Sequence, residues 1–234
     1  MIKKIDFNKL FVSNLGWLKS RFHFSFAEYF NPQNIHFGTL RVMNDDIVQP
    51  QTGFTTHPHK NMEIFSYMLD GELTHGDSMG NVETLQRGDV QYMSAGSGIF
   101  HSEMNNHPQK PLRFIQTWIL PGEKELEPRY GSKKFALEDR LNRWLHILGD
   151  KNSNAHIHFN QNANIYVSEL DAGRMLKIEL NSGRQAYLKV MEGNIKIENT
   201  EFTHGDAAEI TSSTDILALK NSHVMLIEMA LESK

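Results

Sequence analysis

Short apolar or alternating runs recur along this chain, and turn residues separate them. In the first half the runs are Phe37–Val42, Met62–Leu69, Val90–Met93 and Phe114–Leu120. Between them stand Asp70-Gly71, Met79-Gly80-Asn81, Arg87-Gly88-Asp89 and Gly96-Ser97-Gly98. Runs this short, bounded this way, predict strands. Many short strands at close spacing predict a sandwich or a small barrel, so the fold class is all-β. The second half keeps the rhythm with Tyr166–Leu170, Leu176–Leu180, Ala186–Met191, Ile195–Glu198 and Val224–Ala230. Helical patterning is sparse. Ser132–Trp144 is mixed and partly helical, and Pro121–Pro128 reads as a connector. Within Phe114–Trp118 the alternation puts Phe114, Gln116 and Trp118 on one face. Pattern alone leaves open whether that face looks into the barrel.

The rhythm contains a repeat. Tyr67-Met68-Leu69-Asp70-Gly71 leads to Gly88-Asp89, and Lys189-Val190-Met191-Glu192-Gly193 leads to Gly205-Asp206. In each copy a strand turns at glycine, a hairpin runs out and back, and a Gly-Asp turn begins the next strand. An offset of about half the chain predicts two copies of one β-barrel module. The divide falls within 121–160 and is placed after residue 125, giving an N-terminal barrel over 1–125 and a C-terminal barrel over 126–234.

The 234 residues suffice for two small domains, and 39% hydrophobic with 22% charged content is that of a soluble globular protein. A net charge of −4 without a basic block argues against direct binding to nucleic acid or an anionic membrane. No apolar run approaches the roughly 20 residues of a membrane helix. Met1–Phe7 does not read as a signal peptide, so the expected location is cytoplasmic. The absence of cysteine excludes disulfides, zinc–thiolate sites and a thiol nucleophile.

The chemistry gathers in two short segments, His57-Pro58-His59 and His101-Ser102-Glu103. Each puts two candidate ligands at i and i+2, which on a strand face the same side. Two such strands paired in a barrel would aim three imidazoles and one carboxylate at one point. That donor set suits a single divalent ion and leaves room for water or substrate. Glu63 is the rival carboxylate. His156-Ile157-His158 is a further His-x-His pair, but it lies in a polar stretch without a partner pair and reads as exposed. His75, His107, His146, His204 and His223 carry no motif and read as surface or hairpin residues.

Written as motifs, the first half contains His57-x-His59-x3-Glu63-x7-Gly71, then Gly88-x7-Gly96-x-Gly98-x2-His101-x-Glu103-x-Asn105. These resemble the two motifs of the cupin superfamily, with Ser94 where the second usually has proline. The resemblance narrows at Arg21–Pro32, His57–Glu63, Asp77–Gly80 and Met93–Glu103, which are similar to the pirin family. It runs over nearly the whole chain and is densest over 16–120. It implies a bicupin: two double-stranded, jelly-roll-like barrels, metal-bearing at the N-terminus and metal-free at the C-terminus. It also implies His57, His59, His101 and Glu103 as ligands, favouring Glu103 over Glu63.

Counting from the turn glycines of the second copy lands on Glu179, Asn181, Ala218 and Lys220, with no histidine among them. The expected cofactor is one divalent ion, iron(II) first, with manganese, nickel, cobalt, copper or zinc as alternatives. Some bacterial members of the family act as quercetin 2,3-dioxygenases. The expected partners are therefore a small aromatic, flavonol-like substrate and O2. Glu103 would take the substrate proton, making it the catalytic residue as well as a ligand. A human member is described as a nuclear transcription cofactor, so the second reading is a non-enzymatic, iron-dependent redox sensor that binds a protein partner. A third is an isomerase or a dioxygenase of another phenol. A monomer is expected.

Overall fold

The computed structural model describes residues 1–231. Two compact units divide the chain. One is Leu10–Lys134 with Phe159–Gln161; the other is Met1–Lys9, Phe135–His158 and the chain from Asn162 on. A single cut after residue 125 thus differs from the described units at both ends. The strand Ile2–Ile5 pairs with Ala207–Ile210, and Arg129–Lys133 pairs with Val90–Ser94.

Each unit is a seven-stranded sheet with a four-stranded sheet. In the N-terminal unit the large sheet runs Arg129–Lys133, Val90–Ser94, Glu63–Asp70, Leu112–Ile119, Leu40–Val48, Leu18–Phe22, Phe11–Asn14. The small sheet runs Thr52–His59, Ile99–Asn105, Leu73–Asp77, Val82–Leu85. The C-terminal unit repeats the plan. Its large sheet centres on Ala207–Ile210, Arg184–Glu192, Ser222–Ala230 and Ala163–Leu170, and its small sheet on Met175–Ile178, Thr214–Ala218 and Asn194–Ile197. Among the described strands all ladders are antiparallel except the short pairing of Leu145–Gly149 with Ile157–His158. The helical tendency of Ser132–Trp144 amounts to one turn, Leu137–Arg140. No helix among the described residues is long and apolar enough to cross a membrane.

The repeat read from the turns is present in the hydrogen bonds. Gly71 and Gly193 have φ of 77° and 87°, a conformation that costs glycine little. Asp89 accepts from the Gln86 amide at 2.9 Å, and Asp206 accepts from the Thr203 amide at 2.8 Å. Gly88 donates to the Met68 carbonyl and Gly205 to the Val190 carbonyl. The central strands are buried on both faces, which explains their nearly continuous apolar runs. In Glu63–Asp70 only Asp70 is exposed. The C-terminal core packs Leu188, Val190, Phe202, Ile216 and Leu226 together.

Candidate metal centre

The segment Ile99–Asn105 alternates strictly: Ile99, His101, Glu103 and Asn105 are buried, and the residues between them are less so. His101 pairs directly with His57 on the neighbouring strand. A β-bulge then intervenes, so that Glu103 faces Phe54 rather than Thr55. Gly53 accommodates the displaced strand, since a Cβ there would stand 2.3 Å from the Glu103 carbonyl oxygen.

His57, His59 and His101 converge: each offers a ligand atom within 4.8 Å of the others. Their ring centroids are 4.5 to 4.9 Å apart. The His57 Nδ1 lies 2.7 Å from the Thr55 carbonyl, which can only accept, so Nδ1 carries the proton and Nε2 keeps its lone pair. That Nε2 lies 3.1 Å from His101 Nε2. His101 Nδ1 is buried without a partner. Burial, reinforced by His57, holds His59 down at about 4. Burial and the neighbouring imidazoles hold His101 lower, at about 2. Both are neutral imidazoles at physiological pH, the form that binds metal. Crowded imidazoles whose ring nitrogens lie within 4.8 Å of one another fit a divalent cation.

Glu103 stands beside this group rather than within it. It lines the same cavity as His57 and His59, and it is fully buried. Burial pushes its carboxyl up, while hydrogen bonds from Ser66 and Gln116 and nearby His75 and His57 pull it back. Gln116 Nε2 donates to one carboxylate oxygen at 2.9 Å. Gln91 donates to the other, and Ser66 Oγ lies 3.0 Å from it. Glu63 is engaged elsewhere, accepting hydrogen bonds from Tyr92 and from Ser94 Oγ at 2.9 Å. The serine in place of the usual proline is therefore that carboxylate's donor.

The partners of Glu103 form a line that sequence reasoning missed. Gln91 pairs with Ser66, Ser66 with Gln116, and Gln116 with Asn44, across four adjacent strands. Directly paired residues share a sheet face. Each is a polar residue inside an apolar run, and that is the signal that was available. The shared face of Phe114, Gln116 and Trp118 thus looks inward, with Gln116 on Glu103 and Trp118 edge-on to His59 at 4.9 Å.

His75 and His223, read as surface or hairpin residues, are both 1% exposed, and His75 lies on the hairpin strand Leu73–Asp77. His75 and Asp77 make a third i, i+2 pair. They sit beside Glu103 and His101 in register and are joined at 3.0 Å. Burial alone would raise Asp77, but bonds from His75, Asn81 and the Met79 amide hold it below its usual range. His75 stacks on Tyr130 at 4.3 Å, which fixes its ring. His156 and His158 are exposed, as expected.

His57 and His59 open onto a cavity of about 330 Å³ walled by Trp17, Phe22, Phe26, Phe54 and Trp118, with Asn44 and Asp46 among its polar groups. Burial raises Asp46 to about 8 despite a hydrogen bond from Ser20, with Asp45 and Glu103 adding to the rise. At neutral pH most Asp46 carboxyls are therefore protonated and uncharged.

Two repeated double-sheet barrels, with imidazoles converging inside the first, define a bicupin with a candidate metal centre. The pirin family pattern matches residues 6–119, and that of the quercetinase C-terminal cupin domain matches 146–229. A pirin-like protein of Caulobacter vibrioides is 37% identical, covering 98% of this chain and all of that one. A quercetin 2,3-dioxygenase of Escherichia coli is 35% identical over 93% of this chain and 94% of its own. The crystal structure of the Escherichia coli bacterial pirin YhhW in complex with nickel(II) superposes with a TM-score of 0.93. It is 34% identical and covers 99% of this chain and all of that one. This chain belongs to the pirin family.

Proposed function

We propose that this protein is a metal-dependent dioxygenase that opens the heterocyclic ring of a flavonol such as quercetin and releases carbon monoxide. The observation that carries the reading is the convergence of His57, His59 and His101 beside Glu103 at an aromatic-walled cavity. The name of the Escherichia coli relative supports the activity, and the nickel complex of a bacterial pirin supports a divalent ion. His57, His59, His101 and Glu103 would hold one such ion, with iron(II) the first choice. Bound there, the ion would supply Lewis acidity toward a substrate hydroxyl and a redox partner for O2.

The chain's own residues do the rest. Ser66, Gln91 and Gln116 hold Glu103 oriented, and as a carboxylate it accepts the proton of the flavonol hydroxyl. Asn44 Oδ1 is buried and has no partner in the described structure, so it is placed to accept a phenolic hydroxyl. Trp17, Phe54 and Trp118 offer apolar walls to a flat aromatic ligand and exclude water. In the metal-free protein burial raises Asp46 to about 8, so at neutral pH it adds little buried negative charge to the cavity.

The test is oxygen consumption and carbon monoxide release with quercetin, using protein loaded anaerobically with ferrous iron, with His101→Ala beside it. Turnover that scales with bound metal and vanishes in the variant is expected. Stoichiometric metal without turnover of quercetin or other phenols would move the reading to a metal-dependent regulatory protein. Failure of the wild type to bind any divalent metal would remove both readings.

A further inference from the structure

The C-terminal unit contains a cavity of about 530 Å³, larger than the one beside the histidines. It occupies the equivalent place in the repeated module. Tyr166 and Leu226 line it at the register positions of Asn44 and Gln116, which line the N-terminal cavity, and Ile178 stands opposite Thr214 as His57 stands opposite His101. The pairings Ala208–Leu188, Leu188–Leu226 and Leu226–Tyr166 repeat those of Gln91, Ser66, Gln116 and Asn44. The donor line of one barrel is thus apolar in the other, ending in an aromatic ring.

Two kinds of surface meet there. Trp144 and Tyr166, with centroids 6.4 Å apart at 64°, form an aromatic corner backed by Ile178 and Leu226. Beside it Arg184 donates to Glu228 Oε2 at 2.7 Å, Asn164 donates to the same oxygen at 2.8 Å, and Arg184 donates to Asn162 at 2.7 Å. At the rim Lys177 pairs with Glu179 at 2.7 Å. The four charges lining the cavity therefore cancel in pairs, and an ionic ligand would have to break one. Planar amide, guanidinium and carboxylate groups beside flat rings suit a ligand with apolar faces and hydroxyls around its edge.

We propose that this cavity is a second small-molecule site, which binds a neutral polyhydroxylated ring compound. The ring face packs on Trp144 and Tyr166, and the hydroxyls meet the Asn164–Arg184–Glu228 cluster. A sugar and a polyphenol share that chemistry. The site does not depend on the reaction at the histidines.

The three tryptophans of the chain make the test direct. Trp17 and Trp118 line the N-terminal cavity, and Trp144 lines this one. Full-length protein labelled with 5-fluorotryptophan gives fluorine resonances that Trp→Phe variants assign. Methyl β-glucopyranoside is titrated in one arm and quercetin, anaerobically, in the other. The expected result is a saturable shift of the Trp144 resonance in at least one arm, which also identifies the source. Asn181→Phe, at the exposed rim, should weaken that binding about ten-fold or more while leaving the Trp17 and Trp118 resonances in place. No saturable Trp144 shift in either arm, or a shift unchanged by Asn181→Phe, overturns the proposal. Quercetin turnover is not read, so a failed dioxygenase assay leaves this result standing.

Discussion

Replacing Gln116 by leucine, the residue at the equivalent place in the C-terminal barrel, tests whether Glu103 is part of the metal centre. Gln116 Nε2 donates to Glu103 at 2.9 Å, and its Oε1 lies 2.6 Å from Ser66 Oγ. A hydrogen bond to a buried charged group contributes about 1.5–3 kcal/mol. The loss is partly offset, because Ser66 has one proton and two acceptors in reach. Without Gln116 that proton turns fully to Glu103, 3.0 Å away. The net loss therefore belongs at the lower end, about 1.5 kcal/mol, or roughly a ten-fold weaker hold on the ion by the ionised carboxylate. Leucine is close to glutamine in size, so the core should remain packed. Metal affinity is measured by competition with a chromogenic chelator, and urea unfolding is run with and without metal to separate coupling from fold stability. A variant that binds metal like the wild type, while His101→Ala does not, would show that the Glu103 carboxylate does not coordinate. The polar line would then be only a satisfied core network.

Three further outcomes are expected. Gly53→Ala drives a Cβ against the Glu103 carbonyl and should weaken metal binding more than a Gly→Ala change outside the bulge, as chelator competition would show. In metal-free protein, Asp46 is raised from 3.8 to about 8, so its contribution to stability is present in full below 3.8, declines as pH rises and is gone above about 8. The slope has a ceiling of about 1.4 kcal/mol per pH unit, and Asp46→Asn should flatten it in urea titrations at pH 5, 6.5 and 8. Removing metal with a chelator should lower Tm, and excess metal should raise it further by mass action. The same titration on His57→Ala should give no such dependence.

The candidate ligands were legible because their signal is local. An i, i+2 pair on a strand needs only the strand; Ile99–Asn105 alternates throughout and Thr52–His59 does so around its two histidines. The repeat was legible for the same reason, since a Gly-Asp turn carries its own hydrogen bonds. What escaped depends on register between distant strands. Gln91, Ser66 and Asn44 are unremarked polar residues, and the direction of Gln116 stays open, until pairing sets the four in a row. His75 and Asp77 had the same spacing as the recognised pairs, but their worth depends on lying beside Glu103 and His101. The strand Ile2–Ile5 was unreadable as part of the C-terminal unit because its partner, Ala207–Ile210, is about two hundred residues away.

The two barrels show how one backbone plan holds different chemistry. A buried carboxylate needs donors, and the N-terminal large sheet supplies them from Gln91, Ser66 and Gln116 on three adjacent central strands. Gln91, Ser66 and Gln116 cost core packing and are tolerated because each is hydrogen-bonded within the row or to Glu103. In the C-terminal sheet the same register holds Ala208, Leu188, Leu226 and Tyr166, and those strands regain packing. A carboxylate placed against that row would find no such line of donors, so restoring ligand residues alone would not rebuild the first site. The donor row has to change with the ligands. Ligands and a row of side chains four strands wide thus differ between the barrels, while the glycine and Gly-Asp turns are kept in both.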